Sequence, residues 1–268
     1  MPITTVNGIK LNYQERGKGK PLLLIMGITA DHSVWEKHVS FWEQNYRCIL
    51  FDNRGVGLSD KPEGPYTTAQ MADDGAALLK SLEIENAAIV GVSMGGAIAL
   101  QLAIRHQDMV NALVLMCPWA SCDRKAEAIF THMMHAKAHL RPEHFSNFVQ
   151  TLIFHKSTWD DDQEYDGLIQ GQKEAALAEI QQPLHGLEGQ AHACISHNVV
   201  AQLPSIKVPA LVIGGKEDQF IPEWMAKEVA HGISKSELHL YEDAGHAFHW
   251  EKLDDFNTRV LNWLNMNY

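Results

Sequence analysis

The sequence predicts an α/β fold, a mostly parallel eight-stranded sheet with helices on both faces and a helical cap inserted late in the chain. Three observations predict it. Short β-rich apolar runs alternate with longer amphipathic stretches, the pattern of strands joined by helical crossovers. Asn7-Gly8 sits between the first two runs, and that dipeptide favours the positive dihedrals of a tight hairpin. About ninety residues separate the run ending at Met116 from the one beginning near Val208, far more than one crossover requires.

Residues 3–6 and 9–15 flank the hairpin turn and open the chain as an antiparallel pair. Residues 21–26 follow as a buried strand, then 47–51, 87–91, 112–116, 210–214 and 238–241, each an apolar run bounded by turn residues or charge. Between them, residues 35–44, 69–82, 94–106, 223–231 and 253–264 have the length and apolar spacing of helices packed on a sheet. The long gap carries helical patterns at 124–140, 142–154 and 168–180 and another before Pro204, separated by acidic and Gly/Pro breaks. The expected organisation is a core of residues 1–117 and 205–268, with residues 118–204 as a cap between strands six and seven. Asp160-Asp161-Asp162 reads as a solvated turn or helix start rather than a metal site.

With 268 residues and 46% hydrophobic content the chain can bury a full core. The formal charge of −11, with no Lys/Arg stripe to offset it, disfavours nucleic acid and anionic lipid as partners. No apolar run approaches the roughly 20 residues of a membrane span, and residues 1–10 lack the regions of a secretory signal, so a cytoplasmic protein is expected. Cys48, Cys117, Cys122 and Cys194 include no CxxC pair, and are expected to be reduced, mostly buried thiols.

Gly91-Val92-Ser93-Met94-Gly95 lies between an apolar strand and a helical run, the context of a nucleophile elbow. Its glycines permit a turn too tight for side chains, which holds the serine hydroxyl at the C-terminal edge of the sheet. An incidental Gly-rich turn is the alternative. Because a serine hydroxyl is a poor nucleophile, it needs a base within reach and a third group to fix the base's tautomer. His246, in the loop after the last strand, is the expected base; His249 reads as a helix-end or supporting residue. Asp218, after Gly214-Gly215, is the expected acid, with Glu217 and Asp243 as competing loop carboxylates and a helix N-cap as its alternative role. The oxyanion of acyl transfer calls for two backbone N–H groups, assigned to Met94 and Ile28. Trp119, Met133, Met134, Phe220 and Phe248 are candidate pocket residues, although bulky side chains are as often core. His132, His135 and His139 share a helix face but lack an HExxH pattern or nearby cysteine, so no metal is expected.

The whole chain resembles the α/β-hydrolase superfamily in its elbow, in Gly245-His246, and in residues 51–60, where Arg54 and Asp60 are expected to pin a Gly-rich loop. Within it, the layout is similar to small capped esterases and lactonases such as 3-oxoadipate enol-lactonase. Many members have His-Gly at the oxyanion loop, whereas this chain has Met26-Gly27-Ile28. The resemblance implies an acyl-enzyme hydrolase of a small ester or lactone, with no metal or organic cofactor. Two alternatives are a carbon-carbon hydrolase of vinylogous diketones, for which Arg124 and Arg141 are the only cap arginines, and a ligand-binding receptor-like member of the fold.

Overall fold

Asn7, at φ 50°, and Gly8, at φ 78°, make the left-handed turn between β1 (Ile3–Val6) and β2 (Ile9–Arg16). The structure is a computed structural model that describes residues 2–268. Six further strands join the pair: β3 (Lys20–Ile25), β4 (Tyr46–Phe51), β5 (Ala87–Val92), β6 (Val110–Met116), β7 (Ala210–Gly215) and β8 (Ser236–Tyr241). The sheet order is β1-β2-β4-β3-β5-β6-β7-β8, with β2 antiparallel to β1 and β4 and every later pair parallel. All residues of β5 and β7 are buried, because helices cover a parallel sheet on both faces and leave no solvated side.

Of the helices around the sheet, α1 (Glu36–Trp42), α2 (Thr68–Ser81) and α3 (Met94–Arg105) precede β6. The helix expected over 35–44 is divided: Asp31 caps a 3-10 turn, His32–Trp35, by accepting from the Ser33 N–H, and α1 follows it. After β7 come α9 (Glu223–Gly232), α10 (Phe248–Glu251) and α11 (Leu253–Asn267). Between β6 and β7 lie α4 (Arg124–His139), α5 (Pro142–Ile153), α6 (Lys156–Asp160), α7 (Asp162–Leu177) and α8 (Leu184–Ile195). The helix expected over 168–180 begins earlier because Asp161 accepts from the Gln163 and Glu164 N–H groups and caps it there. A single antiparallel bridge, Ser121 to Asn198, draws the two ends of this helical segment together.

The segment does not stand clear of the core. Phe130, Met133 and Leu187 are fully buried and pack into the same apolar cluster as the strands, and burying each such side chain contributes about 1.5–3 kcal/mol. Beneath α11, Trp35, Trp42, Phe248 and Phe256 surround the buried imidazoles of His38 and His249. Among the described residues no helix is long and apolar enough to cross a membrane. Since β3, β5, β6, β7 and β8 run parallel, the residues that follow them emerge at one edge, where loops can bring distant side chains together.

Candidate active site

Ser93 follows β5 directly and has φ 57° and ψ −120°, a strained backbone that only an over-determined turn sustains. The sequence supplies that turn. A Cβ on Gly91 would fall on the Gly95 carbonyl, and one on Gly95 would fall on the Ile25 carbonyl, so both positions require glycine. The Ser93 side chain is 3% exposed and its Oγ has no hydrogen-bond partner in the protein.

The strand ends bring the other two residues close. Gly215 lies so near the Ala244 and Gly245 carbonyls that no side chain fits there, and Glu217 N–H donates to Ala244 O at 3.0 Å. The loop after β7 is thereby tied to the loop after β8. Asp218 Oδ1 accepts from the N–H groups of Phe220 and Ile221, both at 2.8 Å, which fixes the carboxylate and turns Oδ2 toward His246. His246 Nδ1 lies 2.7 Å from Oδ2, so the Nδ1 proton faces the carboxylate and Nε2 is turned to the opposite side of the ring. Glu217 and Asp243 are exposed and make no such contact. Nor does Asp218 cap a helix: α9 is preceded by Pro222, and the carboxylate serves the turn and the imidazole instead. Burial works against a charge on His246, but the Asp218 carboxylate outweighs it and holds the imidazole's pKa well above its ordinary value.

The structure adds a neighbour that sequence reasoning left as one of four reduced thiols. Cys117 follows β6, has φ 40°, and places Sγ 3.5 Å from His246 Nε2. The Ser93 N–H donates to Met116 O at 2.8 Å, which sets nucleophile and thiol side by side on adjacent strand ends. Burial pushes the Cys117 pKa up. The available signal was positional, since Cys117 stands at the same sheet edge as Ser93, Asp218 and His246.

Of the expected oxyanion donors, Met94 is the first residue of α3 and Ile28 lies in the loop after β3; both are buried. A Cβ on Gly27 would stand 3.3 Å from Ser93 Cβ, so this loop passes directly over the nucleophile. Where many members have histidine, Met26 presents its carbonyl to Asn53 Nδ2 at 2.9 Å, and Asn53 braces the loop. Thr29 adopts φ 73° and donates its N–H to Gln190 Oε1 on α8 at 3.1 Å. Gln190, fully buried, also donates to Arg54 O at 3.0 Å. Arg54 forms a buried two-pronged pair with Asp74, at 2.6 and 2.9 Å, and Asp60 accepts from Lys10 N–H at 2.8 Å, so both act on the loop as expected. Sequence could not locate Gln190, which lies far along the chain from Thr29.

Phe220 packs against the His246 imidazole with ring centroids 5.1 Å apart and also against Phe130, whose ring meets Trp119 at 5.9 Å. Met133 is buried in the same cluster and Met134 is partly buried against it. Phe248 belongs elsewhere: it stacks on Tyr241 and packs against His249 and Phe256, which makes it a core residue under α11 rather than a pocket residue. His249 shares that core, and its Nδ1 lies 3.0 Å from His38 Nε2. Burial drives the His249 pKa well below its ordinary value, with His38 and His246 acting in the same direction. His132, His135 and His139 are exposed; the first and last turn Nδ1 onto carbonyls of their own helix. Cys48, Cys117, Cys122 and Cys194 are all free thiols.

The profile of the alpha/beta hydrolase fold family matches residues 20–253, and the chain belongs to that family. It is 31% identical over 265 residues to a Mycobacterium tuberculosis protein that carries the name non-heme bromoperoxidase BpoC, covering 95% of this chain and 97% of that one. A protein of Azorhizobium caulinodans that carries the name carbamate hydrolase RutD is 24% identical over 263 residues, with 98% of each covered. Among solved structures, the enol-lactonase of Burkholderia xenovorans LB400 superposes with a TM-score of 0.89 at 26% identity, covering 98% of this chain and all of that one.

Proposed function

We propose that this protein is a serine hydrolase of a small carboxylic ester or lactone, working through an acyl-enzyme with Ser93 as nucleophile, His246 as base and Asp218 as the group that orients it. The observation that carries this reading is the buried 2.7 Å contact of Asp218 with His246 at the edge where Ser93 is held strained and unpartnered. In the reaction His246 Nε2 takes the Ser93 proton as Oγ attacks the carbonyl carbon. The Met94 and Ile28 N–H groups meet the oxyanion, and the imidazolium, stabilised by Asp218, returns its proton to the leaving oxygen. Water activated by the same base then releases the acid. Phe220 against the imidazole, with Phe130 and Trp119 packed behind it, makes one side of the site apolar, which suits a small acyl or ring substrate.

The enol-lactonase neighbour supports the lactone side of this reading, whereas the carbamate hydrolase name extends the range of acyl groups worth testing. Arg124 and Arg141 are both exposed, which argues against either arginine serving as the cap cation for a vinylogous diketone carboxylate. A receptor role would not require the buried acid-base pair. A panel of p-nitrophenyl esters, lactones, carbamates and ring-fission diketones, each assayed for turnover, tests the substrate class. A fluorophosphonate probe should label Ser93 stoichiometrically and fail to label Ser93→Ala; labelling that survives in the variant would place the nucleophile elsewhere.

A further inference from the structure

We infer that the same site also binds a thiophilic divalent cation such as Zn²⁺, held by Cys117 Sγ and His246 Nε2, and that this ion reversibly switches hydrolysis off by occupying the base. The inference rests on the assignment of His246 as base. Its geometry stands independently of that assignment.

Three features of the site argue for it. The first is spacing. In tetrahedral coordination, Zn–S of about 2.3 Å and Zn–N of about 2.0–2.1 Å put sulfur and nitrogen about 3.5–3.6 Å apart. Sγ and Nε2 stand 3.5 Å apart, so an ion can bridge them without moving either strand end. The second is orientation. A metal-bound histidine ordinarily donates its other ring N–H to a carboxylate, which aims the lone pair at the ion, and Asp218 performs that service for His246 at 2.7 Å. The third is a further donor. Ser93 Oγ, 97% buried by its 3% exposure and lacking any protein partner, stands beside Cys117 on the neighbouring strand end. Sulfur and imidazole are the protein ligands, and the remaining positions fall to water or, after a turn of its side chain, to this hydroxyl, the open arrangement of a zinc site that exchanges ligands. Donor atoms of Cys117, Asp218 and His246 all lie within 4.8 Å of one another.

Binding requires no electron transfer. The ion displaces the Cys117 thiol proton and, where His246 is charged, its Nε2 proton to solvent; the thiolate and the Nε2 lone pair are its donors. With Nε2 occupied, the Ser93 proton has no acceptor and acylation stops. A chelator reverses the sequence. Cys117 is fixed for this purpose by its own backbone, whose N–H donates to Ile213 O at 2.7 Å.

The test uses the full-length protein with Co²⁺ as the spectroscopic probe and Zn²⁺ as the inhibitor. Co²⁺ should produce a thiolate-to-cobalt charge-transfer band in the near ultraviolet, which the exposed histidines cannot give. Zn²⁺ should inhibit turnover of an activated ester, and EDTA should restore it. In Cys117→Ser the band should vanish, and the Zn²⁺ needed for half-inhibition, measured against that variant's own metal-free rate, should rise about 100-fold, since loss of even an outer-shell partner weakens such sites about 10–100-fold. Ser93→Ala should lose hydrolysis yet keep the band. If Ser93→Ala keeps both, the reading of the nucleophile fails while the metal site stands. Absence of the band in the parent protein, its survival in Cys117→Ser, or equal Zn²⁺ sensitivity of the two would overturn the inference.

Discussion

Acidification should destabilise this protein through two histidines that fold neutral. His38 is enclosed by Trp35, Trp42 and Phe256, and His197 by Trp119 and Thr68; burial pushes each imidazole's pKa down to about 4. The network explains the cost of charging His38. Nδ1–H faces Asn257 Oδ1 at 2.7 Å, and Nε2 accepts from His249 at 3.0 Å, so a second proton has nowhere to go without breaking the pair. The ordinary value is about 6.5, so between about pH 6.5 and 4 the unfolded chain binds more protons than the folded one, and stability falls as pH falls. Integrating from pH 7.5 to 5, each histidine removes about 2 kcal/mol and the two together about 4, a large share of the 5–15 kcal/mol by which most domains are stable. His249, also held neutral by burial, adds to the loss, whereas His246 and His32, whose values are raised, act oppositely above about pH 6.5: their contribution is fully present below about 6.5 and is lost as pH rises through their folded values. Urea unfolding followed by circular dichroism at pH 7.5, 6.5 and 5 measures the slope, and His197→Gln should lose about 2 kcal/mol less over that range than the parent does. A parent curve flat to within about 1 kcal/mol, or parallel curves for parent and variant, would refute the assignment of these two groups.

Asp218→Asn should keep the fold and lower kcat by about 10⁴, the loss seen when a serine protease histidine is left in the wrong tautomer, while Glu217→Gln and Asp243→Asn, both exposed, should cost about tenfold or less in the same ester assay. Activity needs neutral His246, so kcat/KM should rise with pH through a midpoint above the ordinary histidine value, and a midpoint below about 6 would contradict the Asp218 contact. Gln190→Ala orphans the Thr29 N–H and the Arg54 carbonyl, each at a cost of about 1–3 kcal/mol; kcat should fall by more than KM rises because the oxyanion loop loses its tie. Arg54→Met leaves the Asp74 carboxylate buried and unpaired and should cost about 3–5 kcal/mol in urea unfolding.

How much of the site could be read from sequence follows from how local its determinants are. Ser93 was legible because the elbow is a local device: the glycines at 91 and 95 are dictated by backbone atoms a few residues away or on the adjacent strand. The succession of strands and helices along the chain, and hence the edge that carries the loops, was legible from alternation alone. The choice among Glu217, Asp218 and Asp243 turned on which side chain faces inward, and that is decided by the Phe220 and Ile221 N–H groups that seize one carboxylate oxygen. Phe248 illustrates the opposite case. As a bulky apolar residue it was a pocket candidate, but the short helix α10 turns it toward Tyr241 and Phe256. His249 was visible as a supporting residue, yet its partner His38 lies 211 residues away, a distance no periodicity reveals.

The same reasoning explains why the helical segment between β6 and β7 matters to chemistry as well as to access. α8 reaches the oxyanion loop through Gln190, and Gly186 passes so close to Gly55 that a side chain at either would collide with the opposing backbone. The end of α5 reaches the other side of the site: Ala247 N–H donates to Ile153 O at 2.8 Å, beside His246 itself. One segment therefore braces both the loop that would stabilise the oxyanion and the loop that carries the base. Sequence changes that reshape α5 or α8 for a new substrate cannot leave those loops untouched. Phe130 on α4 reaches the site only through its ring contact with Phe220, so selectivity should be easier to alter there without loss of rate.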